Sequence, residues 1–153
     1  MTTQGFTEHY SDLRDALPGQ DLPWLARRRE TALKHFTDSG LPTPKLESWK
    51  YTSLRPLEKV GFGADGAPRA CISIDRAPSL LPAASDHHRL VFVDGHHRAD
   101  LSTVGSLPEG AELLTLREML ARHPDWLEQH LGSLSGEGEQ PLLALNTAMM
   151  MNG

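Results

Sequence analysis

The chain has 153 residues, of which 39% are apolar and 23% are charged, and its formal net charge is −5. This composition supports one compact domain with sizeable loops and excludes the charge-rich, apolar-poor pattern of disordered chains. No run approaches the roughly 20 apolar residues of a membrane-spanning helix, and the single cysteine, Cys71, excludes an internal disulfide framework. We therefore expect a cytoplasmic protein that does not engage a membrane.

Positive charge is concentrated in one part of the chain. Residues 22–60 hold eight basic and four acidic side chains, a net charge of +4, so the remaining residues carry −9. Such an asymmetry is typical of a protein that meets a charged partner on one side.

Two helices are predicted at the start of the chain. The first ends at Pro18-Gly19 and carries apolar side chains at helical spacing, namely Phe6, Tyr10, Leu13 and Leu17. The second takes Asp21 as its N-cap and Pro23 in its first turn. Its apolar stripe consists of Leu22, Leu25, Ala26, Ala32, Leu33 and Phe36.

The end of the second helix is predicted from Gly40 and Pro42. Gly40 suits the left-handed C′ position, and proline prevents the helix from continuing. This assignment makes Leu41 and Phe36 the hydrophobic pair that accompanies a Schellman stop.

The middle of the chain predicts a small antiparallel sheet. After a glycine-rich turn region from Gly61 to Pro68, alternating Ala70, Ile72 and Ile74 indicate a half-buried strand. Residues 90–93 form a second β-rich run, and Asp94-Gly95 is typical of a two-residue hairpin turn. The returning strand is expected from His96 to about Leu101.

Helices resume near residue 115. Thr115 and Glu118 fit a capping box, with Leu114 and Met119 as a hydrophobic staple. Pro124 should end or kink this helix, and a further turn should stop at Gly132. A polar linker over 133–139 precedes an apolar, helix-prone segment over 141–151.

The last residues suggest that the natural polypeptide continues. Asn152-Gly153 favours a tight turn, and the apolar 141–151 segment would normally be covered by more protein. We therefore expect residues 1–140 to form an N-terminal domain and 141–153 to begin a following core. The alternative, a terminal segment docked on this same domain, stays open.

Three patterns could indicate chemistry, and each has a simpler interpretation. Residues 61–66 match G-x-G-x-x-G, but no helix is predicted after them, so a surface turn is favoured over a dinucleotide site. Neighbouring histidines at 87–88 and 96–97 point to opposite faces of a strand, so neither pair would chelate one ion. His123 and His130 have Pro124 between them and no reliable geometry. Cys71 alone cannot hold an iron–sulfur cluster and is interpreted as a small buried side chain.

The region 22–60 also supports a second functional hypothesis. It joins its basic side chains to Trp24, Trp49 and Tyr51, and proteins that bind single-stranded nucleic acid combine cations with aromatic rings on which bases stack. Overall acidity and the lack of a recognisable nucleic-acid module argue against it. A small nucleic-acid-binding module using the basic aromatic region 22–60 is therefore the alternative.

Three segments, in this order, resemble the SufD family of the Suf iron–sulfur assembly system. The most specific one comprises the helix around Arg27-Arg28-Arg29-Glu30, the Gly40-Leu41-Pro42-Thr43 stop and the block Trp49-Lys50-Tyr51-Thr52 with Leu54-Arg55-Pro56. The others are Leu90 to Gly95 with Leu101-Ser102, and Leu143-Ala144-Leu145-Asn146-Thr147-Ala148. The resemblance spans most of the chain from Leu22 onward.

The predicted elements give an α+β fold with an N-terminal helical hairpin, a small antiparallel sheet and C-terminal helices, and the resemblance implies that the chain is truncated before a β-helical core. It implies partners that are SufB-like and SufC-like, reached through the full-length protein, and no nucleic acid. An iron–sulfur cluster, a flavin, and ATP on the SufC partner belong to the full complex. No catalytic, cofactor-binding or metal-binding residue is expected within 1–153, so we predict a non-enzymatic interaction domain.

Overall fold

A computed structural model describes residues 3–59, 88–93, 95–134 and 140–151. Within these ranges the helices are α1 (Thr3–Leu13), α2 (Pro23–Ser39), α3 (Leu116–Arg122), α4 (Pro124–His130) and α5 (Pro141–Met149). Short 3₁₀ turns cover Arg14–Ala16, Glu47–Trp49 and Arg55–Lys59, and the strands are β1 (Phe92–Val93) and β2 (His96–His97). The predicted α+β class is confirmed.

Helix α2 begins one residue later than predicted. Its N-cap is Leu22, whose backbone is extended and which makes no capping hydrogen bond through its side chain, so the prediction of Asp21 as N-cap is wrong. The Leu22 side chain instead packs against the apolar cluster around Leu25. Pro23 occupies the first helical position, where the missing N–H costs nothing. Ala26, predicted in the apolar stripe, is exposed.

The end of α2 confirms the role predicted for Gly40. Its φ is 70°, a value that residues with a Cβ rarely adopt, and its N–H donates to the carbonyl oxygen of Phe36 at 2.8 Å. Its ψ is −171°, so the conformation is not αL, and a single bond closes the helix in place of the paired bonds of a Schellman motif. Leu41 packs against the cluster that contains Phe36, as predicted.

Within the described residues the core consists of three apolar clusters, and α2 contributes to each of them. Their members are Phe6, Phe36 and Ala144 in the first, Tyr10, Leu17 and Ala148 in the second, and Leu25, Leu120 and Leu127 in the third, with Ala32 and Leu33 beside the second. Helix α5 lies mainly against α2 and also touches α1. Its buried side chains Ala144 and Ala148 are one turn apart and small, so the helix backbones can approach closely.

The segment 141–151 is thus a helix that lies on the same core as α1 and α2. Met149 and Met151 pack against the second cluster, and Met150 packs against the third. The helix itself was predicted, and the division into a domain of residues 1–140 and a following core from residue 141 stays a prediction. Asn152-Gly153 lies outside the described residues, as do the G-x-G-x-x-G motif, the predicted strand at 70–74, Cys71 and residues 135–139 of the linker.

The predicted hairpin is present but shorter than expected. Phe92 pairs with His97 and Val93 with His96, and Gly95 has a φ of 79°. The returning strand ends at His97 because the chain turns over residues 98–102, and an isolated bridge then joins Arg89 to Thr103. Within this turn the hydroxyl of Ser102 accepts a hydrogen bond from the Val91 N–H at 3.0 Å. A side chain therefore replaces a rung of the backbone ladder.

Helix α3 starts at the predicted capping box. The N–H of Glu118 donates to Thr115 Oγ1 at 3.3 Å, and the N–H of Thr115 donates to Glu118 Oε2 at 2.8 Å. Helix α3 ends at Arg122, α4 begins at Pro124, and Gly132 follows α4 with a φ of 74°. These predicted boundaries are confirmed.

Replacing Thr115 by alanine should raise the pKa of Glu118. The Thr115 N–H and then the Thr115 hydroxyl hold that pKa below its ordinary value by hydrogen bonds to the ionised carboxylate. The variant loses the hydroxyl and keeps the N–H, so the pKa should return only part of the way, as an NMR titration of the Glu118 carboxyl would measure.

The sign for stability follows from the lowered pKa. The ionised Glu118 carboxylate stabilises the fold above the carboxyl's ordinary pKa, and this stabilisation is lost as pH falls through the folded-state pKa. In T115A the decrease in the free energy of unfolding over this pH range should be smaller. Thr37→Ala is the matched control, because it removes a threonine hydroxyl on another helix, α2, where it donates to the Leu33 carbonyl. This variant should leave the pKa of Glu118 unchanged. An unchanged Glu118 pKa in T115A would contradict the assignment.

None of the helices in the described ranges combines the length and the apolar character that crossing a bilayer requires.

Candidate functional site

An open groove of about 1070 Å³ lies between α2 and α5. Arg27, Thr31 and His35 follow one another at four-residue spacing on α2, so they lie on one face and form one wall with Arg28. This wall includes the two adjacent arginines of the basic region predicted from the sequence.

The opposite wall comes from α5 and the residue before it. Gln140, Leu143, Asn146, Thr147 and Met150 line it. The Thr147 hydroxyl donates to the Leu143 carbonyl at 2.9 Å and is therefore engaged within the helix. Asn146 is exposed to solvent. This wall therefore carries both polar and apolar side chains.

The base of the groove is apolar, and its third side is the end of α4. Ala32 and Ala144 lie between the two helices, and residues 131–133 close one side. Leu131 and Met150 also pack on the third core cluster. The groove is thus continuous with the hydrophobic interior.

The charge in the groove is positive. Of the described residues that line it, Arg27 and Arg28 carry the formal charge, and none is an aspartate or glutamate. The Arg28 guanidinium lies 6.0 Å from the Trp24 ring, within reach of a cation–π contact. His35 Nε2 is buried and has no hydrogen-bond partner in the described part of the chain.

Arg29, the third arginine of the run, is buried and holds the groove in place from behind. Only 3% of it is exposed, and its guanidinium donates to the Pro18 carbonyl at 2.8 Å and to the Met150 carbonyl at 3.1 Å. It thereby joins the α1–α2 loop to the end of α5, where the helix dipole favours a cation. Burial lowers the pKa of Arg29, and nearby Tyr10 partly opposes this.

Arg29 was counted among the basic residues of 22–60 without a separate role, whereas it binds two backbone carbonyls in the interior. A signal was available: Arg29 stands four residues after Leu25 and seven before Phe36, on the buried stripe of α2.

The block Trp49-Lys50-Tyr51-Thr52 lies in a loop with a 3₁₀ turn over Glu47–Trp49. Trp49 is half-buried, whereas Tyr51 is 91% exposed with the Lys50 ammonium 5.6 Å from its ring. Trp24 packs on the third core cluster instead. The aromatic side chains proposed for base stacking thus have different environments.

Two motif segments that are separate in the sequence meet in this loop. Residues 41–45, which follow the α2 stop, and residues 53–55, which follow the aromatic block, line a common notch of about 570 Å³. The residues after the α2 stop therefore face the residues that follow the aromatic block.

The described histidines lie in separate environments. His97 Nε2 is 3.1 Å from Ser102 Oγ, His123 Nε2 is 3.5 Å from a Glu112 carboxylate oxygen, and the His130 ring stacks on Trp126 at 4.0 Å. Within the described ranges no three His, Cys, Asp or Glu side chains come together as metal ligands. His87 lies outside them.

Comparison with known proteins identifies the class of this domain. The model of the family described as the SufBD protein N-terminal region matches residues 1–153. The chain belongs to this family of SufBD N-terminal regions, which confirms the resemblance found in the sequence.

One curated relative of the chain is a named SufBD family protein. The chain is 26% identical over 126 residues to a protein of Synechocystis named as an iron–sulfur cluster assembly SufBD family protein. The match covers 82% of this chain and 27% of the relative, so the chain spans about a quarter of the relative's length. No solved structure matches the chain.

Proposed function

We propose that this chain is the N-terminal domain of a SufD-type subunit in a SufB–SufC–SufD scaffold that assembles iron–sulfur clusters. In this role the domain makes protein contacts and performs no catalysis of its own. The observation that carries the proposal is the family match over residues 1–153. The name of the Synechocystis relative, an iron–sulfur cluster assembly SufBD family protein, supports the assembly role.

The choice of a SufD-type over a SufB-type subunit rests on the residues. The helix at 27–36, the Gly40-Leu41-Pro42-Thr43 stop and the Trp49–Thr52 block occur in the order typical of SufD proteins. The notch between residues 41–45 and 53–55 supports a common structural role for the α2 stop and the Leu54-Arg55 pair that follows the Trp49–Thr52 block.

The cluster is the cargo of the proposed complex and is not a group held by this chain alone. Ligation in the usual way needs several thiolates, and residues 1–153 offer Cys71. We accordingly assign the cluster, a flavin and ATP to the complete complex, with ATP on the SufC-like partner. No residue of 1–153 is assigned a catalytic, cofactor-binding or metal-binding role.

The test is co-expression of the complete gene product with SufB and SufC of the same organism, with and without residues 1–140. The complete protein should co-purify with both partners, and the complex should transfer a cluster to an apo-ferredoxin. Loss of residues 1–140 should slow assembly or transfer. The 153-residue chain alone should hydrolyse no ATP and should retain neither flavin nor stoichiometric iron after dialysis.

Two results would overturn the proposal. One is unchanged assembly and transfer without residues 1–140, which would deny the domain a role in the complex. The other is ATP turnover, or iron or flavin retained by the isolated chain, which would give it chemistry of its own.

A further inference from the structure

We infer that the groove between α2 and α5 binds an acidic segment of a partner protein, with one apolar side chain of that segment placed on the groove base. The inference rests on the proposed function, which makes the domain an interaction module. It adds the surface and the chemistry of the partner.

Charge complementarity is the first argument. Arg27 and Arg28 lie side by side on the α2 wall, and no described residue that lines the groove is acidic. Arg27 forms no ion pair with any described residue, and Arg28 faces the Trp24 ring rather than a carboxylate. Glu30, one turn away on the same helix, is not part of the wall. Two arginines in this position favour carboxylates, which they can bind through two hydrogen bonds each.

The composition of the base favours a peptide over a nucleic acid. Ala32 and Ala144 at the base and Leu143 and Met150 on the α5 wall offer an aliphatic surface, and among the described lining residues there is no Phe, Tyr or Trp, His35 being the one aromatic ring. Single-stranded nucleic acid needs rings on which its bases stack. A short acidic segment with an aliphatic anchor matches both the arginines of the α2 wall and the aliphatic base.

The dimensions agree with a short stretch of polypeptide. The groove follows the nine residues of α5, a length of about 13 Å, which accommodates about four residues of extended chain. Its volume of about 1070 Å³ lies just above the upper end for small-molecule pockets.

The groove is also preformed, which lowers the entropic cost of binding. Arg29 binds the carbonyl of Met150, a residue of the α5 wall, and so fixes that wall relative to α2. A partner segment would meet side chains whose backbone is already in place.

The test uses the 153-residue chain and a fluorescein-labelled peptide of glutamates around one central leucine, followed by fluorescence anisotropy. Saturable binding should weaken at least about tenfold in Arg27→Gln/Arg28→Gln, equivalent to about 1.4 kcal/mol. Arg117→Gln, an exposed arginine of α3 outside the groove, is the matched control and should stay within about twofold. Circular dichroism should show both variants folded.

Changes in the peptide test the two parts of the inference. Replacing its glutamates by glutamines, or its leucine by glycine, should each weaken binding. Equal binding of these peptides, equal binding by Arg27→Gln/Arg28→Gln, or tighter binding of a thymidine oligonucleotide would overturn the inference.

Glu137 and Glu139 lie between Ser133 and Gln140 in sequence. The variant Glu137→Gln/Glu139→Gln should bind the peptide as well or better, and weaker binding would contradict a site for carboxylates.

The two proposals fail separately. If the peptide does not bind but the complete protein still co-purifies with SufB and SufC, the groove assignment alone is wrong. If the peptide binds as described but co-purification fails, the groove stands and the assignment to the SufB–SufC–SufD complex is wrong.

Discussion

Replacing Arg29 by alanine should lower the free energy of unfolding by about 2–4 kcal/mol, as measured by urea denaturation. The change leaves the carbonyls of Pro18 and Met150 without their donor, and a buried unpartnered acceptor costs about 1–3 kcal/mol. It also removes the apolar stem of the side chain from the helix interface. The free energy of unfolding of Arg29→Lys should lie between those of the unaltered chain and Arg29→Ala, because one ammonium cannot reproduce the planar guanidinium that reaches both carbonyls.

Two further variants define what Arg29 does. Arg117→Ala removes an exposed arginine from α3 and should change stability by no more than about 0.5 kcal/mol. Arg29→Met keeps most of the stem and removes the buried charge, whose Nε has no hydrogen-bond partner in the described part of the chain. If Arg29→Met is at least as stable as the unaltered chain, the cost of burying the charge outweighs the stabilisation from its hydrogen bonds. That result would contradict a stabilising role for Arg29.

Replacing Phe36 by alanine should lower the free energy of unfolding by about 3–5 kcal/mol. Phe36 has no exposed surface, and its ring lies edge-on to Phe6 with centroids 5.6 Å apart and an interplanar angle of 87°. The variant leaves a cavity at the contact of α1, α2 and α5, since Ala144 belongs to the same cluster. Thermal and urea denaturation would both measure the loss.

The same ring type at an exposed position provides the control. Phe92→Ala in β1 changes a phenylalanine that is 43% exposed and should cost about 1 kcal/mol or less. If Phe36→Ala does not fold, Phe36→Leu should still do so with a loss of about 1.5 kcal/mol or less. A Phe36→Ala variant as stable as Phe92→Ala would contradict the packing described for the first cluster.

Much of the fold could be predicted because local signals agree with tertiary structure. The capping box of Thr115 and Glu118, the left-handed stop at Gly40 and the hairpin turn ending at Gly95 depend on the conformations of a few consecutive residues. Such features are determined within one turn of the chain, and the sequence alone is enough to locate them.

The predictions that failed depended on long-range packing. Asp21 is a good capping residue, but the helix starts where Leu22 can reach the cluster formed with α3 and α4. The returning strand of the hairpin is shorter than predicted because the Ser102 hydroxyl, and not a backbone carbonyl, accepts the hydrogen bond of the Val91 N–H.

The groove could be predicted only in part. The excess of basic residues over 22–60 was evident, but the three consecutive arginines look alike until α5 and the α1–α2 loop are in place. Packing then separates Arg29, which enters the interior, from Arg27 and Arg28, which line the groove. The position of α5 against α2, which creates the groove, has no local signature in the sequence.

The contribution of α2 to all three clusters has a consequence for how the helical part of this protein opens. A helix at the edge of a core can detach while the rest stays folded, but α2 shares its buried surface with α1, α3, α4 and α5. Detaching any of these helices exposes part of α2, and detaching α2 leaves the others without a common support. Sub-global opening, with one helix exchanging its amides independently of its neighbours, is therefore disfavoured here, and the described helices should lose structure as one cooperative unit.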